Sequence, residues 1–130
     1  MCYNKNIIQL INGGALLEAI DLARRAVEIG SDKQAEDIVL LDARPACNFT
    51  DYMVILTGES DRQINAIREE IIHSLKQDGV YARHVEGGAA SGWILLDYID
   101  VIIHIFAPAE RDYYRLESVW PSATPVVHIQ

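Results

Sequence analysis

The amino-acid sequence predicts an α/β fold: a single domain in which a mixed β-sheet of about five strands is packed with helices. Three observations predict it. Two stretches carry apolar residues at the three- and four-residue spacing of one helix face. Several short runs are continuously apolar and rich in branched residues, as buried strands are. Helices and strands do not alternate strictly, which disfavours a doubly wound parallel sheet. A chain of 130 residues, half of them hydrophobic, suits one domain around one core.

Taken in order, residues 1–13 read as a loose lead-in, ending at Gly13-Gly14. Leu16, Ile20, Ala23 and Val27 then recur on one helix face, broadened by Leu17, Ala19, Leu22 and Ala26, with Gly30 as the expected stop. Residues 38–41 form a short buried strand. Residues 42–51, with Pro45 and Asn48, connect it to a second strand, Tyr52–Thr57. Ser60, followed three residues later by Gln63, has the spacing of a capping box. The helix it opens places Ile64, Ile67, Ile71 and Leu75 on one face and stops at Asp78-Gly79. Residues 80–85 read as a strand that Arg83 and His84 push to an edge, and 86–92 as a flexible loop. Strands over 93–98 and 101–106 flank Ile99-Asp100, a length suited to a tight hairpin. Pro108 is placed to start a last helix, roughly 109–120, and Pro121 to end it. The domain is therefore expected over 14–120. The tail, 121–130, shows strand character around Val126 and Val127 but has no assigned place.

The formal net charge is −8, from 19 acidic and 11 basic residues. Phosphate contacts need clustered Lys and Arg, and the longest basic run is Arg24-Arg25, so direct, sequence-specific nucleic-acid binding is not expected. An acidic surface suits a basic protein partner. From charge alone, solubility is the simpler reading. Cys2 and Cys47 form no CxxC pair and have no His at metal spacing, which points to a reducing cytoplasm rather than a disulfide scaffold. No run approaches the roughly 20 apolar residues of a membrane span, and the apolar stretch from Ile7 to Ile11 lacks the flanks of a signal peptide.

A search for chemistry comes back empty. Asp97 and Asp100 invite a metal or acid–base reading, yet they flank a turn, where aspartates are common for conformational reasons. A nucleotidyltransferase would use a Gly-Ser turn and an Asp-x-Asp pair on a strand. Here Gly58 and Ser60 are not adjacent, and Asp97 and Asp100 are three apart. His73, His84, His104 and His128 are scattered. Ser60, Ser91 and Ser118 sit in no nucleophile elbow, no phosphate-loop lysine occurs, and Gly87-Gly88 is too little for a phosphate cradle. No catalytic residue, metal or cofactor is predicted. A nucleotidyltransferase-like enzyme using Asp97 and Asp100 with a divalent metal is the alternative.

The hairpin is more informative. A two-residue turn at Ile99-Asp100 sets Tyr98 opposite Val101, Leu96 opposite Ile103 and Ile94 opposite Ile105, a wholly apolar side that should be core. The other side pairs Asp97 with Ile102, Leu95 with His104 and Trp93 with Phe106. That mixture either lies under the last helix or meets a partner, and the pattern leaves both open.

Phe49 to Ile55, Thr57 to Gln63, Val85-Glu86-Gly87, Gly92 to Tyr98 with Asp100, and Arg111 to Glu117 with Trp120 resemble, in order and spacing, the iojap-related ribosomal silencing factors. The resemblance runs from about Leu16 to Trp120. It implies a fold similar to nucleotidyltransferases without their catalytic carboxylates. It also implies binding to the L-fourteen protein of the large ribosomal subunit, which would block joining of the small subunit and repress translation; related organelle proteins assist large-subunit maturation. The contact strand is the one carried here by Trp93, Leu95, Leu96, Asp97 and Tyr98. Asp51, Asp61, Arg62, Glu86, Asp100 and His104 are candidate additions to the surface. A homodimer is left open. Two positions depart from the family pattern: Glu59 replaces a small polar residue, and Ile99 stands where glycine is usual, although a β-branched residue resists the positive φ that glycine accepts.

Overall fold

The computed structural model describes residues 7–11 and 15–130. Of the predicted lead-in, residues 1–6 and 12–13 lie outside the described residues, as do Gly14 and Cys2. Strand β1 (Ile7–Ile11) pairs antiparallel with β2 (Ala15–Glu18) as a separate two-stranded sheet. Leu16 and Leu17, assigned above to a helix, therefore belong to a strand. Helix α1 covers Ala19–Asp32.

The main sheet has six strands: β3 (Glu36–Asp42), β4 (Tyr52–Thr57), β5 (His84–Gly88), β6 (Trp93–Asp97), β7 (Val101–Phe106) and β8 (Thr124–Ile129). Their order is β5-β6-β7-β4-β3-β8. All neighbours are antiparallel except β4 and β7, so the sheet is mixed. Every residue of central β4 is buried, as expected of a continuously apolar strand covered on both faces. The sixth strand is β8, supplied by the tail that the sequence pattern left without a place.

One face of this sheet carries Ile38, Leu40, Tyr52, Val54, Leu56, Ile94, Leu96, Tyr98, Val101, Ile103 and Ile105. Against it pack α1, through Leu22, Ala23, Ala26 and Ile29, and α2 (Asp61–Gln77), through Ile64, Ile67, Ile71 and Leu75. Each fully buried Leu or Ile contributes roughly 1.5–3 kcal/mol, and this layer holds most of them. Gly30 lies inside α1 rather than ending it. A Cβ there would collide with the Leu56 side chain, so the glycine sets how closely α1 approaches β4.

The capping pattern before α2 forms in part. Ser60 Oγ accepts from Gln63 N at 3.1 Å, but the Gln63 side chain accepts from Glu59 N rather than Ser60 N. The third predicted strand does lie at an edge but is shifted: residues 80–83 are a connection anchored by buried Val80, and the strand runs over 84–88, overlapping the prediction at 84–85 and extending into the predicted loop. The last helix, α3 (Pro108–Tyr114), is shorter than predicted, because Arg115 adopts φ 44° and breaks it before a 3-10 turn at Leu116–Ser118.

Candidate functional site: the outer face of the hairpin

β6 and β7 pair as the spacing predicts, with Trp93 opposite Phe106, Leu95 opposite His104 and Asp97 opposite Ile102. These six side chains share the face turned away from α1 and α2, because strand residues alternate sides. β5 sets His84 opposite Asp97 and Glu86 opposite Leu95. Burial is uneven across this face. Phe106 is fully buried, while Trp93, Leu95, Asp97 and Ile102 are half-buried.

Trp93 is held from three sides. Its ring lies 4.7 Å from Tyr114 of α3 and 5.0 Å from Phe106, between centroids. Its indole N–H donates to His104 Nδ1 at 3.1 Å. His104 is 4% exposed, and burial pushes its imidazole down to about 4, so it is neutral near pH 7. Tyr114 is 44% exposed and extends the aromatic surface outward. A cavity of ≈ 270 Å³ opens there, lined by Glu86, Gly87, Ser91, Trp93, Leu95 and Tyr114. Gly87 has φ 83°, and a Cβ at that position would strike the Trp93 carbonyl oxygen; glycine lets β5 close one wall of the cavity.

Carboxylates border the aromatic group. Glu86 pairs with His84 at 2.5 Å, and Asp97 Oδ2 pairs with Arg83 at 2.5 Å. Asp97 Oδ1 accepts from Ile99 N at 2.7 Å and so also builds the turn. Asp100 is buried, and its carbonyl accepts from Asp51 N and Tyr52 N. The two aspartates of the enzyme alternative thus serve the turn and the strand ends. Among the described residues, no group of three or more His, Cys, Asp or Glu side chains is placed to hold a metal.

The family description "Ribosomal silencing factor during starvation" matches residues 17–130. The chain belongs to this ribosomal silencing factor family. It is 40% identical to the ribosomal silencing factor RsfS of Bacillus subtilis over 92 residues, covering 71% of this chain and 78% of that protein. It is 33% identical to RsfS of Chromobacterium violaceum over 109 residues, 84% and 89% of the two chains. The chloroplastic protein Iojap of Zea mays is 35% identical over 109 residues, 83% of this chain and 45% of that longer one. A crystal structure of a C. violaceum protein superposes with a TM-score of 0.77 at 33% identity, covering 81% of this chain and 88% of that one.

Within this RsfS-family chain, the residues predicted to form the contact strand divide. Trp93, Leu95 and Asp97 share the outer face. Leu96 and Tyr98 point into the helix-covered core, at 0% and 1% exposure, on the opposite side of the strand. Of the additional candidates, Glu86 is exposed beside Trp93. Asp51, Asp100 and His104 are buried and offer no outer surface, and Asp61 and Arg62 are exposed on the first turn of α2, on a separate element. Tyr114 was missed. Its signal was the Tyr113-Tyr114 pair on the helix that Pro108 starts, but only the fold brings that helix to β6.

A larger cleft of ≈ 420 Å³ lies at the carboxyl ends of β4 and β7, where open α/β sheets often bind ligands. In this RsfS-family chain it is lined by Glu36, Asp37, Glu59, Asp112 and Glu117 against Arg111 and Arg115. Arg111 is committed internally: it donates to the Asp37 carbonyl at 2.7 Å, to Thr57 Oγ1 at 2.8 Å and to Glu117 at 2.7 Å. A hydrogen bond with Glu59, and repulsion from it, holds the Glu36 carboxyl above its usual range. A cleft of this charge repels phosphates.

Proposed function

We propose that this chain represses translation by occupying the large ribosomal subunit through its basic L-fourteen protein, so that the small subunit cannot join. The contact surface is the outer face of the β6–β7 hairpin, with Trp93, Leu95 and Asp97 at its centre and Glu86 and Tyr114 at its rim. The chain acts by occupancy rather than by chemistry, in the cytoplasm. Family membership supports the ribosomal target. The observation that carries the choice of surface is Trp93 itself: a large aromatic fixed by Phe106, His104 and Tyr114 yet half-exposed beside two carboxylates. Anchored aromatics of this kind dominate interface energetics, and nearby carboxylates favour a basic partner and speed encounter with it.

The test is co-sedimentation with purified large subunits, followed by addition of small subunits. The parent pellets with large subunits and prevents joining. Trp93→Ala loses about 2 kcal/mol or more of binding, roughly 30-fold in affinity, while remaining folded. Asp97→Lys weakens binding further through like-charge repulsion. The parent's association slows as salt rises, since screening acts over about 8 Å at physiological ionic strength. If both variants melt as folded proteins and still pellet with parental affinity, the surface is wrong, and Asp61 and Arg62 on α2 become the next candidates.

A further inference from the structure

Beneath the half-exposed Trp93 sits a buried histidine whose geometry makes little sense as a stabilising device. An indole N–H can only donate, so the 3.1 Å contact requires a lone pair on His104 Nδ1 and places the imidazole proton on Nε2. That Nε2–H is buried and meets no acceptor among the described residues. A buried donor without a partner gives up its hydration for nothing, a loss at least as large as the indole bond returns. A leucine would fill this place between Leu95 and Ile55 in the neighbouring strands without the penalty. The histidine ring also lies nearly parallel to Phe106, 13° between planes at 6.2 Å.

We infer that His104 is a positioning residue for the partner surface: it holds the Trp93 indole in the one orientation that a partner can receive, and does so at the expense of stability. The inference rests on the reading that Trp93 is a contact residue. The device works as an acceptor behind the surface. Phe106 and Tyr114 bracket the indole by shape, and shape alone permits the ring to turn about its side-chain torsions. The bond to Nδ1 singles out one edge of the indole as inward and presents the opposite edge. Burial keeps His104 uncharged near pH 7, so the lone pair on Nδ1 is available there.

The test uses the full chain carrying Trp120→Phe, which leaves Trp93 as the single indole. His104→Leu removes the acceptor; His104→Asn restores one near the position of Nδ1. Three readouts are compared: the thermal midpoint, the indole N–H resonance with its exchange rate, and affinity for purified large subunits. For His104→Leu the inference expects an unchanged or raised midpoint, a shifted indole resonance exchanging at least several-fold faster, and roughly fivefold weaker binding. For His104→Asn it expects recovery of the resonance and of affinity to within about twofold. A merely structural histidine gives a different pattern, a lowered midpoint with the affinity of the folded protein unchanged, and that result overturns the inference. So does parental affinity in His104→Leu while Trp93→Ala fails to bind, which leaves the contact surface standing. Parental affinity in Trp93→Ala overturns both, because then the indole is not a contact at all.

Discussion

Leu95 and Leu96 are adjacent in β6 and carry the same side chain, yet the sheet puts them in different worlds. Leu96 faces α1 and α2 among residues that are almost all aliphatic and fully enclosed. Leu95 faces the other way, half-exposed, with Glu86 and His104 as its cross-strand neighbours. The helix-covered face is packed for stability, with the hydroxyls of Tyr52 and Tyr98 among its few polar groups. The outer face tolerates a buried imidazole, a half-open tryptophan and two carboxylates, groups that stabilise a core poorly and suit recognition. Where a fold accepts such residues, selection for something other than stability is the economical explanation.

The largest expected effect separates the two leucines directly. Leu96→Ala opens a cavity in the enclosed layer and lowers stability by about 2–5 kcal/mol, read by denaturant unfolding. Leu95→Ala lowers it by about 1 kcal/mol or less, because that side chain is already partly in water, and shows itself in large-subunit binding instead. Equal losses of stability would erase the distinction between the faces.

The next effect lies in acid. His104 has an ordinary pKa of 6.5 that burial lowers to about 4 in the folded chain. Above pH 6.5 neither state is protonated there and the group contributes no pH dependence. As pH falls from 6.5 towards 4 the unfolded chain takes up the proton first, so stability drops, by about 3 kcal/mol at pH 4. His104→Leu removes that component. The difference between the two pH–stability curves should therefore be flat above pH 6.5 and widen below it; a constant difference down to pH 4 would mean that the imidazole is solvated.

Tyr98 offers a smaller effect of the opposite sign. Burial pushes its phenol up to about 12, and its hydroxyl meets no partner among the described residues. Tyr98→Phe keeps the packing and removes the orphan, for a gain of about 1 kcal/mol. The smallest shift belongs to the turn. Asp100 N donates to the Tyr98 carbonyl at 2.9 Å across Ile99, which has φ 74°, a conformation that strains a β-branched residue by about 1–3 kcal/mol. Ile99→Gly relieves this but gives up roughly 0.5–1 kcal/mol to the freer unfolded chain, so a net gain of about 0.5 kcal/mol is expected in chemical denaturation, with binding unchanged.

Much of this contrast was legible in the sequence, and the failures have physical causes. β4 and the hairpin register followed from continuous apolar runs and the two-residue period, which no tertiary contact needed to correct. The strain at Ile99 was foreshadowed by a branched residue at a position usually held by glycine. β5 was misplaced because it is an edge strand of exposed residues ending in Gly87-Gly88, with no hydrophobic signature. β8 escaped because it joins β3 through backbone bonds while most of its side chains remain exposed. β2 was read as helix because a four-residue strand feeding directly into α1 continues the same apolar spacing. At the site, a contiguous motif gave five contact candidates, and strand alternation divided them between the two faces. Tyr114 and the role of His104 depend on contacts between segments distant in sequence, which no local pattern encodes.

The two rims of the sheet carry a consequence of their own. A strand at a rim shows a row of unpaired amides to which another chain can add. β8 interrupts that row with Pro125, which has no N–H, and with a shift in its ladder to β3 between Val127 and Pro125. β5 flanks its exposed valine, Val85, with the polar side chains of His84 and Glu86 and ends in Gly87-Gly88, with Gly87 at φ 83°. Neither rim is a good template for end-to-end growth, and a net charge of −8 keeps neighbouring copies apart. Both rims thus discourage edge-to-edge addition of a further strand, while the partly exposed Trp93 and Tyr114 lie on a face of the sheet rather than at a rim.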